Sequence, residues 1–115
     1  MSRLSTIELT GKSGTKYSFN VYPIDEECPD ESGIYLFSKR TLKPGSTSYT
    51  QDFIYLGRAQ SFVKRFYNHH KDDCIDKKGA NCICLMNVKD EKQREKIESD
   101  LLAGYNFPCN EVKNS

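Results

Sequence analysis

The stretch from Phe53 to His70, FIYLGRAQSFVKRFYNHH, limits what this chain can fold into more than any other. Phe53-Ile54-Tyr55-Leu56 is a short aromatic and β-branched run of the kind that forms a buried strand. Gly57 ends that run, at a residue that permits a turn few others tolerate. Ser61 is a good N-cap, and Phe62 to Lys71 reads as a helix. With about 100° between successive side chains, Phe62, Val63, Phe66 and Tyr67 share one broad apolar face. Arg65 and His69, four residues apart, stack along its edge. No acid occurs between Asp52 and Asp72, whereas Arg58, Lys64, Arg65 and Lys71 all do. Strand, turn and helix thus bring a tyrosine, an arginine and a histidine toward one place, which suits an anionic group.

The 115 residues are enough for one domain with a single core. Charged residues make up 29% and hydrophobic residues 37% of the chain, a globular balance rather than a disordered one. The longest apolar runs are too short to cross a membrane. Met1-Ser2-Arg3-Leu4 leads into no apolar segment of a signal peptide, so the expected compartment is the cytoplasm. The net charge of +1 gives little general attraction to nucleic acid, so any such attraction must be local, and Arg58 to Lys71 supplies it. Five cysteines form no paired CxxC framework. Cys74, Cys82 and Cys84 with His69 and His70 match no common zinc spacing, and reduced, mostly buried thiols are expected instead.

In chain order, Thr6–Thr10 and Lys16–Tyr22 alternate polar and apolar residues around Gly11-Lys12-Ser13-Gly14-Thr15, the pattern of a β-hairpin. Gly11-Lys12-Ser13 is like the end of a phosphate-binding loop, but the earlier glycine is missing and no helix follows, so a turn is expected. An acidic connector runs from Pro23 to Glu31. Ser32–Phe37 is a second apolar strand, and Lys39–Gln51 is expected to be a loop. After the central helix, Asp72–Gly79 reads as a polar connector and Asn81–Val88 as a further core strand. Asp90 and Gln93 form a capping box for a helix from Glu91 to Ala103, closed by Gly104.

On that last helix, Glu98 falls inside the arc defined by Ile97, Leu101 and Leu102. A carboxylate there is costly to bury without a partner. A salt bridge to a base such as Arg65 satisfies it, and so does a divalent cation. Glu91, Glu95 and Asp100 are expected on a solvated face.

Gly33-Ile34-Tyr35 and Tyr55-Leu56-Gly57 resemble the two signature tripeptides of the GIY-YIG nuclease family, with Leu for Ile in the second. Arg65 and His69 match that family's helix arginine and histidine. Glu98 is similar to its metal-binding glutamate, and Asn110 in Pro108-Cys109-Asn110 to its closing asparagine. The resemblance covers Ser32 to Asn110. Two features depart from the family, the long segment between the tripeptides and the N-terminal hairpin, and no appended DNA-binding domain is expected.

The resemblance implies a metal-dependent endonuclease that hydrolyses DNA phosphodiester bonds. Its catalytic set is Tyr35, Tyr55, Arg65, His69, Glu98 and Asn110, with one Mg²⁺ or Mn²⁺ on Glu98. Either tyrosine is a candidate general base, with Tyr35 slightly favoured, and Arg58, Lys64 and Lys71 are expected to hold the DNA backbone. The alternative is a non-catalytic nucleic-acid- or protein-binding domain of the same fold. DNA, nicked or branched included, is the expected partner, with a homodimer or protein partner for targeting. The expected fold is a compact α/β domain of the α+β type over 1–115. A three-stranded, mostly antiparallel sheet flanked by helices forms the core over 32–110, and the hairpin and acidic connector (1–31) are extra to it.

Overall fold

Period-two alternation along the first two segments and unbroken apolar runs in the later ones give two kinds of strand in one sheet. The computed structural model describes residues 4–25, 29–69 and 73–112, with side chains for all of these except 66–69, 111 and 112. The strands are β1 (Ser5–Thr10), β2 (Lys16–Pro23), β3 (Gly33–Leu42), β4 (Tyr49–Ala59) and β5 (Cys82–Asn87). The helices are α1 (Phe62–His69), α2 (Asp73–Lys77), α3 (Glu91–Gly104) and α4 (Pro108–Val112). No described helix is long and apolar enough to cross a membrane.

All strand pairs are antiparallel and the order is β1-β2-β5-β3-β4. The mixed α+β class agrees with expectation, but the separate three-stranded core does not. β2 pairs with β5, placing Val21 opposite Cys84, so the N-terminal hairpin extends the same sheet to five strands. The cause is burial: Phe19 and Val21 are fully enclosed and must continue the core surface that β5 begins.

Both faces of the middle of the sheet are covered, which explains why Ile34-Tyr35-Leu36-Phe37 does not alternate. On one face Ile34, Leu36, Leu56 and Cys84 pack against Ile97 and Leu101 of α3 and against Phe107. On the other, Tyr35, Phe37, Tyr55 and Leu85 pack against Phe62 of α1, Ile75 of α2 and Cys109 of α4.

Two segments and one cysteine pair differ from their sequence patterns. Lys39–Gln51 is mostly paired: β3 and β4 form a ribbon out to Leu42 and Tyr49, closed by 43–48. The Arg40 guanidinium sits 3.9 Å from the centre of the Tyr49 ring, so a cation–π contact supports a ribbon that the pattern alone does not. Within Asp72–Gly79, Asp73–Lys77 makes a one-turn helix around buried Ile75. Cys74 and Cys109 are joined by a disulfide between α2 and α4, with Cα atoms 5.7 Å apart, which corrects the expectation of reduced thiols throughout. Cys82 and Cys84 are free and buried, as expected.

α3 begins at the expected N-cap, where Asp90 accepts from the Gln93 amide at 3.0 Å. Its far end is fixed by Asp100, which lies on the partly exposed face its position suggests but is bound there. The Asp100 carboxylate accepts from the Ser13 amide (2.9 Å), the Ser13 hydroxyl (2.7 Å) and the Tyr17 hydroxyl (2.7 Å). The Gly11–Thr15 turn is therefore a socket for α3 and not a phosphate loop. These bonds, led by those from Ser13, hold the Asp100 carboxyl below its ordinary 3.8.

A carboxyl held low when folded adds stability that is present above its unfolded pKa and lost as pH falls through the folded one. The parent should therefore melt higher than Asp100→Asn at neutral pH. The two melting curves should converge as pH drops below 3.8. A gap that persists undiminished into acid would show that the ionised carboxylate is not what holds the turn.

Candidate functional site

The tyrosine of β3 and the glycine of β4 are direct cross-strand partners, Tyr35 opposite Gly57. A Cβ on Gly57 would lie 2.5 Å from both Cζ and Oη of Tyr35, so only glycine leaves room for the ring. This corrects the expectation of a turn at Gly57: β4 runs through it to Ala59. Gly33 has a similar constraint, since a Cβ there would strike the Met86 carbonyl of β5. Tyr55, two residues before Gly57, points to the same face and stacks on Tyr35 with ring centres 6.1 Å apart.

Ser61 caps α1 as expected, accepting from the Lys64 amide at 3.2 Å, and its hydroxyl reaches Asp30. One turn on, Arg65 donates from Nε to the Tyr35 hydroxyl at 3.1 Å. Tyr35 is fully buried, and that burial pushes its phenol well above the ordinary 10.0, although Arg65 pulls the other way. Desolvation wins here. Tyr35 is thus a neutral anchor for Arg65, not the group that most readily accepts a proton. The Arg65 charge is secured in turn, its pKa raised first by the Tyr35 bond.

Glu98 pairs with Arg58 rather than with Arg65: the Arg58 guanidinium donates to its carboxylate. Glu95, one turn earlier on α3, lies 3.8 Å from the same guanidinium. The Glu98 side chain is only 17% exposed. By strand alternation Arg58 projects with Leu56 toward α3, while Gly57 projects with Tyr55 toward α1. The predicted residues therefore fall into two groups on opposite faces of the sheet, Tyr35, Tyr55 and Arg65 on one and Glu98 and Arg58 on the other. Arg58 and Arg65 come together where β4 leads into α1, whereas Glu98 and the two tyrosines do not line that place. An open groove of about 510 Å³ there is lined by Arg58, Ala59, Gln60, Ser61, Lys64 and Arg65.

Asn110 closes the same edge. Its side-chain amide donates to the Leu56 carbonyl and its oxygen accepts from the Leu56 amide, both at 2.9 Å. One side chain thereby does what a further strand would do, and satisfies the backbone between Tyr55 and Gly57. Arg94 was not anticipated from the sequence. It is buried and donates to the carbonyls of Val88 and Lys89, fixing how α3 leaves β5. A lone arginine in the first turn of an amphipathic helix gives no sign of this. The His69 side chain and all of Lys71 lie outside the described residues, as does His70.

Among the described residues no three His, Cys, Asp or Glu side chains cluster as metal ligands. Glu98 offers a single carboxylate with a cation already on one oxygen. Such a donor set fits a hard divalent ion that keeps most of its own water, and not a protein-caged structural ion.

Gly57→Ala forces the new methyl against the Tyr35 ring, and overpacking of this kind costs about 1–3 kcal/mol. Denaturant unfolding should show that loss, and the loss should shrink in a Tyr35→Leu background because the clash partner is gone. An equal cost in both backgrounds would mean that the ring does not set the requirement for glycine.

Comparison with family models, with characterised proteins and with solved structures gives no match, so function must be argued from this geometry.

Proposed function

We propose that the chain is a small divalent-metal-dependent endonuclease of the GIY-YIG type, hydrolysing DNA phosphodiester bonds at the β4 edge. The observation that carries this is the groove in which Arg58 from β4 and Arg65 from α1 line one concave surface beside Lys64. Two guanidiniums and an ammonium suit a phosphodiester, and guanidiniums offer paired donors to its oxygens.

Each residue then has a defined task. Arg65, held by Tyr35, points charge at the phosphate without spending conformational freedom on it. Arg58 leaves Glu98 for the phosphate, which frees the carboxylate. Glu98 would hold the divalent ion, which would supply neutralisation of charge on the phosphate and the leaving oxygen. Tyr55 is assigned the proton-accepting role because the Tyr35 hydroxyl is committed to Arg65. Asn110 keeps the Tyr55–Gly57 backbone in register. His69 is assigned a proton-relay role through its place on α1 alone.

One observation favours the second reading, a nucleic-acid- or protein-binding domain that does not cut. Glu98 is engaged by Arg58 on the face of the sheet away from the tyrosines. Glu98→Gln separates the two. A nuclease should lose Mn²⁺-dependent nicking of plasmid by several orders of magnitude, equivalent to several kcal/mol of charge stabilisation, while keeping its fold and DNA affinity. A merely structural Glu98 gives a less stable protein with no selective effect on cutting. A stable variant that nicks at the parent rate would sink the nuclease mechanism.

The groove also predicts a salt effect. Lys64→Ala should weaken DNA binding uniformly across sequences and lower the slope of log affinity against log salt by about 0.9 if one phosphate contact is lost. An unchanged slope removes Lys64 from the DNA surface.

A further inference from the structure

The Asn110 clamp sits one residue from a covalent cross-link. α4 is a five-residue helix, too short to hold itself together in water. Three anchors keep it in place: buried Phe107 and Cys109, the Asn110–Leu56 pair, and the disulfide from Cys109 to Cys74 on α2. The disulfide spans 35 residues, and on that path lie only α2, β5 and α3 with their connections. Cys109 also packs in the same cluster as Tyr35 and Tyr55. Bond, clamp and tyrosines thus form one contiguous unit at the edge of β4.

We propose that the Cys74–Cys109 disulfide is a positioning device for Asn110, so that reducing it loosens the Tyr55–Gly57 edge and makes the site redox-responsive. Cys109 is 5% exposed and Cys74 more accessible, so a thiolate enters at the Cys74 sulfur. Attack by one thiolate of a dithiol forms a mixed disulfide at Cys74 and releases Cys109 as a thiolate, which takes up a proton. The second reagent thiol loses its proton and displaces Cys74, which is protonated in turn. Two electrons and two protons pass to the protein, and the reagent leaves as a cyclic disulfide. The buried face of α4 then depends on packing and on two neutral hydrogen bonds. Asn110 spends less time on Leu56.

The consequence for cleavage rests on the endonuclease reading, but the positioning itself does not. Hydrogen exchange at the Leu56 amide reports the clamp directly, because that amide donates to Asn110. The protein is compared oxidised and after dithiothreitol, with free thiols titrated to establish that the bond has opened. Leu56 should exchange at least about tenfold faster when reduced. Asn110→Ala should exchange fast in both states. The Cys74→Ala/Cys109→Ala protein should match the reduced parent whatever the reductant, and if it fails to fold, the parent with and without reductant still decides. Plasmid nicking should fall on reduction in the parent and respond to reductant in neither Asn110→Ala nor the double-cysteine variant. Unchanged Leu56 exchange after bond opening overturns the proposal. So does an even rise across the sheet that includes β1 and β2, which marks general stabilisation. If the parent nicks nothing in either state, the endonuclease reading fails while Leu56 still answers for the clamp.

Discussion

The Tyr35 ring can cross onto β4 only because its partner there is Gly57, where any side chain would begin 2.5 Å from the ring atoms. That contact fixes the register of β3 against β4. It also buries the phenol where its hydroxyl meets Arg65, and so fixes the direction in which α1 presents its cation. Tyr55 stacks on the same ring. A slip of one residue in either strand would turn every one of these groups to the wrong face. One glycine thus determines the geometry of an aromatic pair and of an arginine on a separate element.

β4 carries more than its share because it is an edge strand with both faces in use. Its alternation sends Tyr55 toward α1 and Arg58 toward α3, and Asn110 seals its open side at Leu56. Charge from two faces of the sheet therefore reaches one groove without any charge being buried deeply. Arg58 is the more open member of its ion pair, with its side chain 44% exposed against 17% for Glu98.

Local signals carried much of this into the sequence. Ser61 and Asp90 as N-caps, the apolar runs of β3, β4 and β5, and the helix positions of Arg65 and Glu98 follow from patterns within a few residues, whereas Asn110 stands out only through the resemblance to the nuclease family. What was not legible depends on partners far along the chain. Gly57 reads as a turn until Tyr35 is known to lie over it. Asp100 reads as solvated because its donors, Ser13 and Tyr17, are 87 and 83 residues away. The ribbon from Lys39 to Asp52 looks like a loop because most of its side chains are exposed while its backbone pairs. Cys74 and Cys109 belong to no spacing motif, and only the packing of α2 on α4 brings them together. The division of the site between two faces was also hidden, because helix periodicity places Glu98 on an apolar arc without saying which side of the sheet that arc covers.

The groove at the β4 edge is most directly tested by following the side-chain Nε resonances of arginine while a short DNA duplex is added. If one phosphate is held from both faces of the sheet, Arg58 and Arg65 move together along a single saturation curve. The Arg58 signal should also leave its Glu98-paired position as it does so. Movement of Arg58 with Arg65 unperturbed, or of neither, would contradict a shared phosphate site.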